Sequence, residues 1–335
     1  MEENKSFIPF TYKLLLMLVA FGGMFIFAMT LGAADISFKE VWTALTTNKT
    51  GDKLLVIREI RLPREIGAIL VGSALAVSGA IMQGMTRNPL ADPGLLGLTA
   101  GANAALAITM AFLPFVSYYG IIIACFIGAA IGAMLVFGIS SIKRGGFTPF
   151  RVVLAGAAVS TFLYALAEGI SIYYKLSKEV SMWTAGGLVS TSWKQVQIIA
   201  PFILIGIIVA LFLSRQLTIL SLSEEVAVGL GQNTTQIKII LFIVIVLLSG
   251  ASVALVGNMV FIGLMIPHIV RVIVGNDYRF VIPVSAILGS TLMLLADTIG
   301  RTINTPYETP VAAIIAMMGL PFFLFIVHKG GKTLS

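Results

Sequence analysis

Two histidines, one cysteine and a C-terminal Gly330-Gly331-Lys332-Thr333 are the residues whose types most readily suggest metal, thiol or phosphate chemistry. Each fails on its setting. His268 and His328 lie in different segments with no Cys or carboxylate cluster beside either, so a zinc-type site lacks ligands. His268 follows Pro267 and precedes Arg271, the pattern of a hydrogen-bonded helix histidine. Cys125 sits inside an apolar run and has no partner for an intrachain disulfide. A phosphate loop ending at Lys332-Thr333 would need its first glycine at position 326, which is Ile326, so the segment reads as a solvated basic tail. No nucleophile has a plausible base beside it. No catalytic residue, resident metal or bound cofactor is expected in this chain.

Ionisable residues inside apolar runs come next, because they are costly in lipid and mark ion paths or buried pairs. Glu168 lies in Ala165-Leu166-Ala167-Glu168-Gly169, and Asp297 in Leu294-Leu295-Ala296-Asp297-Thr298. Either could carry a proton or ion. Asp297 stands four residues before Arg301, a helical ion-pair spacing, which favours a structural role.

The connector 215–238 is the third candidate. Ser221 and Glu224 fit a capping box. Leu222, Val226 and Ala227–Leu230 fall at helical spacing, and Gly229 or Gly231 can end the turn. The pattern predicts a short helix outside the membrane that presents an apolar strip beside Glu224 and Glu225. Paired acids suit a protein partner better than an anionic leaflet.

The elements that must position these groups follow from composition. The 335 residues are 58% hydrophobic and 11% charged, with a mean hydropathy of +1.01. A soluble domain carries about 25% charged residues, so this chain has lipid for much of its solvent. Its apolar runs are continuous rather than alternating, which selects helices over a barrel. At about 20 residues per span there are ten: Leu14–Leu31, Ile66–Met82, Leu95–Leu113, Tyr119–Ile139, Val152–Ile172, Val196–Leu213, Ile237–Val256, Val260–Val274, Val281–Leu295 and Val311–Val327. The first lacks a small-x-small cleavage site and reads as a span. The eighth is short and follows Gly257-Asn258, so a tilt, a break or a re-entrant turn is expected there. The expected fold is all-α, a single transmembrane domain over 1–335.

Lysine and arginine counts barely orient it. With the N-terminus inside, twelve of the 22 are cytoplasmic and ten outside, six of them in the loop from Ala33 to Glu65. The formal net charge of +7 then decorates membrane-flanking loops and needs no nucleic acid. A faint inverted repeat pairs the second to fifth with the seventh to tenth spans. Val77-Ser78-Gly79-Ala80 matches Leu248-Ser249-Gly250-Ala251, Gly97-Leu98 matches Gly263-Leu264, and Ile127-Gly128 matches Leu288-Gly289. Inverted repeats are a transporter habit.

Three stretches together resemble the permease subunits of bacterial type II ABC importers for iron–siderophore complexes, haem and vitamin B12. They are Arg61-Leu62-Pro63-Arg64 through Gln83 to Asn88-Pro89-Leu90-Ala91-Asp92-Pro93-Gly94-Leu95-Leu96-Gly97; Gly257-Asn258-Met259-Val260-Phe261-Ile262-Gly263-Leu264 with Pro267-His268, Arg271, Asp297 and Arg301; and Glu308-Thr309-Pro310-Val311 with Gly319-Leu320-Pro321-Phe322-Phe323. The resemblance implies a multi-pass protein of the bacterial cytoplasmic membrane with both termini inside. It implies a second permease subunit, the same or a homologous chain, two ATPase subunits that bind ATP and magnesium, and an extracytoplasmic substrate-binding protein. It places the coupling element for the ATPase at Leu222, Ser223, Glu224, Glu225, Ala227, Gly229 and Gly231. It gives Arg61, Arg64 and Arg301 the role of facing acids on the binding protein, with Glu59 and Glu65 partly neutralising them. Iron(III)–siderophore is the expected cargo; no cargo-binding residue is assigned. The rival reading is an ion-gradient-driven transporter using Glu168 or Asp297, and a third is a non-transporting scaffold.

Overall fold

A chain in hydrocarbon must satisfy its backbone N–H and C=O groups within each segment, and the apolar runs do so as helices. The computed structural model describes residues 9–32, 36–141, 149–189, 191–305 and 307–331. Lys5, Lys143, Arg144, Lys332 and Thr333 lie outside them. Among the described residues the helices are α1 (Phe10–Thr30), α2 (Phe38–Thr46) and α3 (Asp52–Leu55), the last passing through a π-helical turn (Val56–Arg61) into α4 (Leu62–Thr86). A 3-10 turn (Pro93–Leu96) precedes α5 (Leu98–Phe112). Then come α6 (Tyr118–Ser141), α7 (Pro149–Tyr173), α8 (Ser177–Thr184), α9 (Trp193–Phe212), α10 (Ser214–Leu222), α11 (Glu224–Gly229), α12 (Thr234–Val256), α13 (Ile262–Val274), α14 (Tyr278–Thr302) and α15 (Val311–Gly331).

Among the described residues, seven stretches are long and apolar enough to cross a membrane: 10–30, 52–86, 118–140, 151–173, 193–212, 234–256 and 278–302. Three shorter apolar helices, Leu98–Phe112, Ile262–Val274 and Val311–Leu324, fall on the third, eighth and tenth apolar runs and are shorter than a full span. The protein is a polytopic membrane protein.

Helix α4 is apolar on every side and almost wholly buried, as a central helix must be. Glycine lets its neighbours approach backbone to backbone. A Cβ on Gly72 would stand 2.3 Å from Gly289 O of α14, and one on Gly79 2.0 Å from Gly263 O of α13. Helix α1 is the opposite case, with most of its apolar surface exposed.

The repeat motifs meet at the centre. Ser249 Oγ donates to Ser78 Oγ at 2.9 Å, joining α12 to α4 through the residues that match in sequence. Both short helices that follow these two start from a left-handed residue, Gly97 (φ 73°) before α5 and Phe261 (φ 69°) before α13. The short eighth run forms one continuous helix, and the break lies before it: α12 ends at Val256, and five residues pass before α13 begins. Phe261 carries a backbone that costs a bulky residue energy.

The long helices fix two opposite ends. The C-terminal turns of α1 pack under α2, and α4 starts and α14 finishes beside them. At the other end, Gly84 near the close of α4 lies against Leu217 of α10 and Tyr278 of α14, and Lys13 Nζ donates to Ile273 O at 2.6 Å.

Candidate functional site

At the α2 end, the first turn of α4 is set by Pro63. Proline lacks an N–H and is favoured in a first helical turn, where that donor would have no intrahelical partner. The preceding π turn brings Leu62 N–H to Ile57 O, and in that register Pro63 would have donated to Arg58 O. That carbonyl instead accepts from Trp193 Nε1 at 2.8 Å. The extra residue in the π turn aims Arg61 across the end of α1, where it donates to Met29 O at 2.6 Å.

Arg64, Glu65, Asp297 and Arg301 converge one turn further in. Arg64 donates to both oxygens of Asp297 at 2.9–3.1 Å. It also donates to both oxygens of Glu308 at 2.8 and 2.9 Å. Arg301 pairs with Asp297 at 3.0 Å across the i,i+4 spacing and donates to Glu65 Oε1 at 2.6 Å. Its Nη1 donates to Leu31 O and its Nη2 to Ala28 O at the α1 end, both at 3.3 Å. All three arginines are buried, as are Glu65 and Asp297. Glu65 Oε2 has no hydrogen-bond partner among the described residues. Hydrogen bonding from Arg64 holds the Glu308 carboxyl, in the α14–α15 connection, below the ordinary range.

The sequence spacing thus found the Arg301–Asp297 pair. Glu65, expected only to neutralise the arginines in part, takes its hydrogen bond from Arg301. Sequence reading left Glu308 without a partner; its pairing with Arg64, 244 residues away, has no local signal. Chemically the cluster is a charge-balanced clamp joining α1, α4, α14 and the α14–α15 connection. Glu168 is elsewhere, exposed on α7 with open space beside Gly169.

At the α11 end, the short helix forms as expected but with a different cap. Ser221 Oγ donates to Thr218 O at 2.7 Å inside α10, while Ser223 Oγ accepts from Val226 N at 3.0 Å. Ser223 wins because the chain is extended there (φ −160°, ψ 159°), as an N-cap requires. The turn closes through Gly231 N to Val228 O at 2.8 Å and Gln232 N to Ala227 O at 2.9 Å, with Gly231 at φ 78°. Ala227 is buried; Leu222, Glu225, Val226, Val228 and Leu230 are exposed. The two acids divide. Lys238 Nζ donates to Glu224 Oε1 at 2.7 Å, and Thr234 Oγ1 to the same oxygen at 3.3 Å. The Lys238 hydrogen bond pulls the Glu224 carboxyl below its ordinary value.

A sequence profile of the FecCD transport family matches residues 16–329. The chain belongs to the FecCD transport family. Its relatives include the iron(3+)-hydroxamate import system permease protein FhuB of Bacillus subtilis (strain 168), 43% identical over 92% of this chain and 80% of that one. The hemin transport system permease protein HmuU of Yersinia pestis is 37% identical over 94% of this chain and 93% of that one. A solved metal-chelate type ABC transporter in an inward-facing conformation superposes with a TM-score of 0.84 at 26% identity, over 95% of this chain and 99% of that one. Both ends described above lie within the FecCD match.

Proposed function

We propose that this FecCD-family chain is the permease subunit of an ATP-driven importer for an iron(III)–siderophore complex. A binding protein delivers the cargo on one side, and separate ATPase subunits drive alternating access from the other. The observation that carries the reading is α11. It is held to the bundle through Ala227 and the Glu224–Lys238 pair, yet presents Glu225, Val226 and Val228, flanked by the exposed Leu222 and Leu230, to whatever lies beyond. A rigid, partly apolar knob suits transmission of motion from a soluble partner. Its differential fit to the partner's two states is what would shift the permease.

Exposed Glu168 on a membrane-crossing helix supports a second permease subunit, because a carboxylate facing lipid is costly and one facing a shared polar pathway is not. The buried arginines support a platform role: Arg61, Arg64 and Arg301 hold the ends on which a binding protein would dock, rather than offering free charges to it. The ion-gradient reading loses Asp297, which is committed to two arginines.

The test is reconstitution with candidate ATPase and binding proteins in liposomes. Uptake of a ferric siderophore should require ATP when the ion gradient is clamped. Uptake that follows the gradient at constant ATP overturns the reading. The α11 end and both termini belong on the ATPase side. In a Cys125→Ala chain, an impermeant thiol reagent should therefore label Lys53→Cys from the binding-protein side and Glu225→Cys from the ATPase side.

A further inference from the structure

Helix α2 is secured at both ends. Ser37 Oγ accepts from Glu40 N at 3.3 Å, and Glu40 Oε2 accepts from Ser37 N at 2.7 Å. Arg58 closes the far end, donating to Ala44 O and Lys49 O at 2.9 Å and to Thr47 O, where helical carbonyls lack N–H partners. Nine residues would not hold a helix unaided in water, so these ties fix which way each face points.

At 3.6 residues per turn, the apolar sector of α2 is wider than the part the protein covers. Val41 and Ala44 are buried against Met29 and Ile57. The adjoining strip, Phe38, Trp42 and Leu45, is 57%, 61% and 47% exposed. Lys39 and Thr43 turn to the other side, near the 3.2 Å ion pair of Glu40 with Lys53.

We propose that Phe38, Trp42 and Leu45 lie in the headgroup-to-acyl boundary of the bilayer, so that α2 is an interfacial helix anchored by Trp42. Its depth is set by what it packs on. Met29 and Phe25 belong to the last two turns of α1, and α1 is a membrane-crossing helix whose Ile26 and Phe27, in the same turns, are exposed. The strip therefore continues the lipid-facing surface of α1 at the level where that surface meets the headgroups. Tryptophan favours that level, where its ring body is apolar and its N–H is wet. A polar face opposite an apolar strip is what a helix lying in the boundary plane needs.

Cys125 is the sole cysteine, so Cys125→Ala gives a background for single labels. Spin labels at Phe38→Cys, Lys39→Cys, Trp42→Cys, Thr43→Cys and Leu45→Cys would be read in nanodiscs of phosphatidylethanolamine and phosphatidylglycerol. Oxygen, which partitions into lipid, should reach positions 38, 42 and 45 better than a water-soluble nickel chelate does, with the order reversed at 39 and 43. As a second reading free of labels, lipids brominated near the headgroup should quench the native chain more than Trp42→Phe. Equal nickel access at all five positions would place the strip in water and overturn the proposal. Labels at 38, 42 and 45 that neither relaxant reaches would mean burial against another copy. Immobilisation that appears only when binding protein is added would make the strip a protein dock. Either result also overturns it. None of these readings depends on transport, so failure here is separable from failure of the importer reading.

Discussion

Arg64 holds Asp297 and Glu308 at the same time, one carboxylate fully buried and the other 34% exposed at its side chain. The pairs look alike in geometry but differ in what water can do when one is broken. Asp297→Ala leaves Arg64 with Glu308 alone and Arg301 with Glu65 alone, one buried positive charge uncompensated, and should cost about 3–5 kcal/mol. Glu308→Ala opens a site that water reaches and should cost about 1 kcal/mol or less. Thermal unfolding in matched nanodiscs measures both, and equal losses would show that the cluster is wetter than its burial indicates.

Changing Arg61, Arg64 and Arg301 together to Glu places six carboxylates where three now balance three arginines. The chain should lose most of its folded yield, and changing acids on the binding protein to Lys should not restore uptake. A well-folded triple variant that regains uptake through such a change would reinstate direct docking.

At the opposite end, Glu225 and Val226 face outward while Glu224 faces Lys238. Glu225→Arg with Val226→Asp should leave insertion and thermal stability unchanged and weaken ATPase association by at least about 30-fold, the scale of a central interface residue. Co-purification and ATPase stimulation report the loss. Glu224→Arg should instead loosen the connector itself.

The all-helical membrane fold and the break before the eighth run were legible because lipid demands continuous apolar helices and glycine and asparagine interrupt them. The i,i+4 step from Asp297 to Arg301 was legible for the same reason: it is local. Ser223 in place of Ser221 was not, since both serines stand near Glu224 and only backbone extension decides between them. Burial of Arg61 and Arg64 was hidden as well. A basic loop next to a span reads as solvated until Asp297 and Glu308 arrive from the far end of the chain.

Glu224 gives a pH dependence. Its folded value lies below the unfolded one, so the Lys238 pair stabilises the connector above about pH 4.3. That stabilisation is lost as pH falls through the depressed folded value. A spin label at Thr235→Cys, in the Cys125→Ala background, should gain mobility over that acid range. Lys238→Met should remove the transition, and a transition that persists in Lys238→Met would assign it to another group.

Gly79→Ala tests the close packing of α4. Its Cβ would meet the Gly263 backbone at 2.0 Å, so helices must separate, at about 1–3 kcal/mol or more. Gly22→Ala on α1 meets nothing within 4 Å and should stay within about 0.5 kcal/mol. Melting temperatures of the two variants compare them directly.

The arginine clamp also dictates an order of biosynthesis. Arg64 enters the membrane with α4, yet its partner Asp297 is 233 residues away. At about 5–20 residues per second that interval is roughly 10–50 s. For that time Arg64 and Glu65 must be kept at the headgroup level, or by an insertion factor, without the carboxylate and guanidinium that will finally enclose them. Release of α14 from the ribosome is then the event that lets this end of the molecule close, and a chain truncated before α14 would leave two unmatched charges as a marker for quality control.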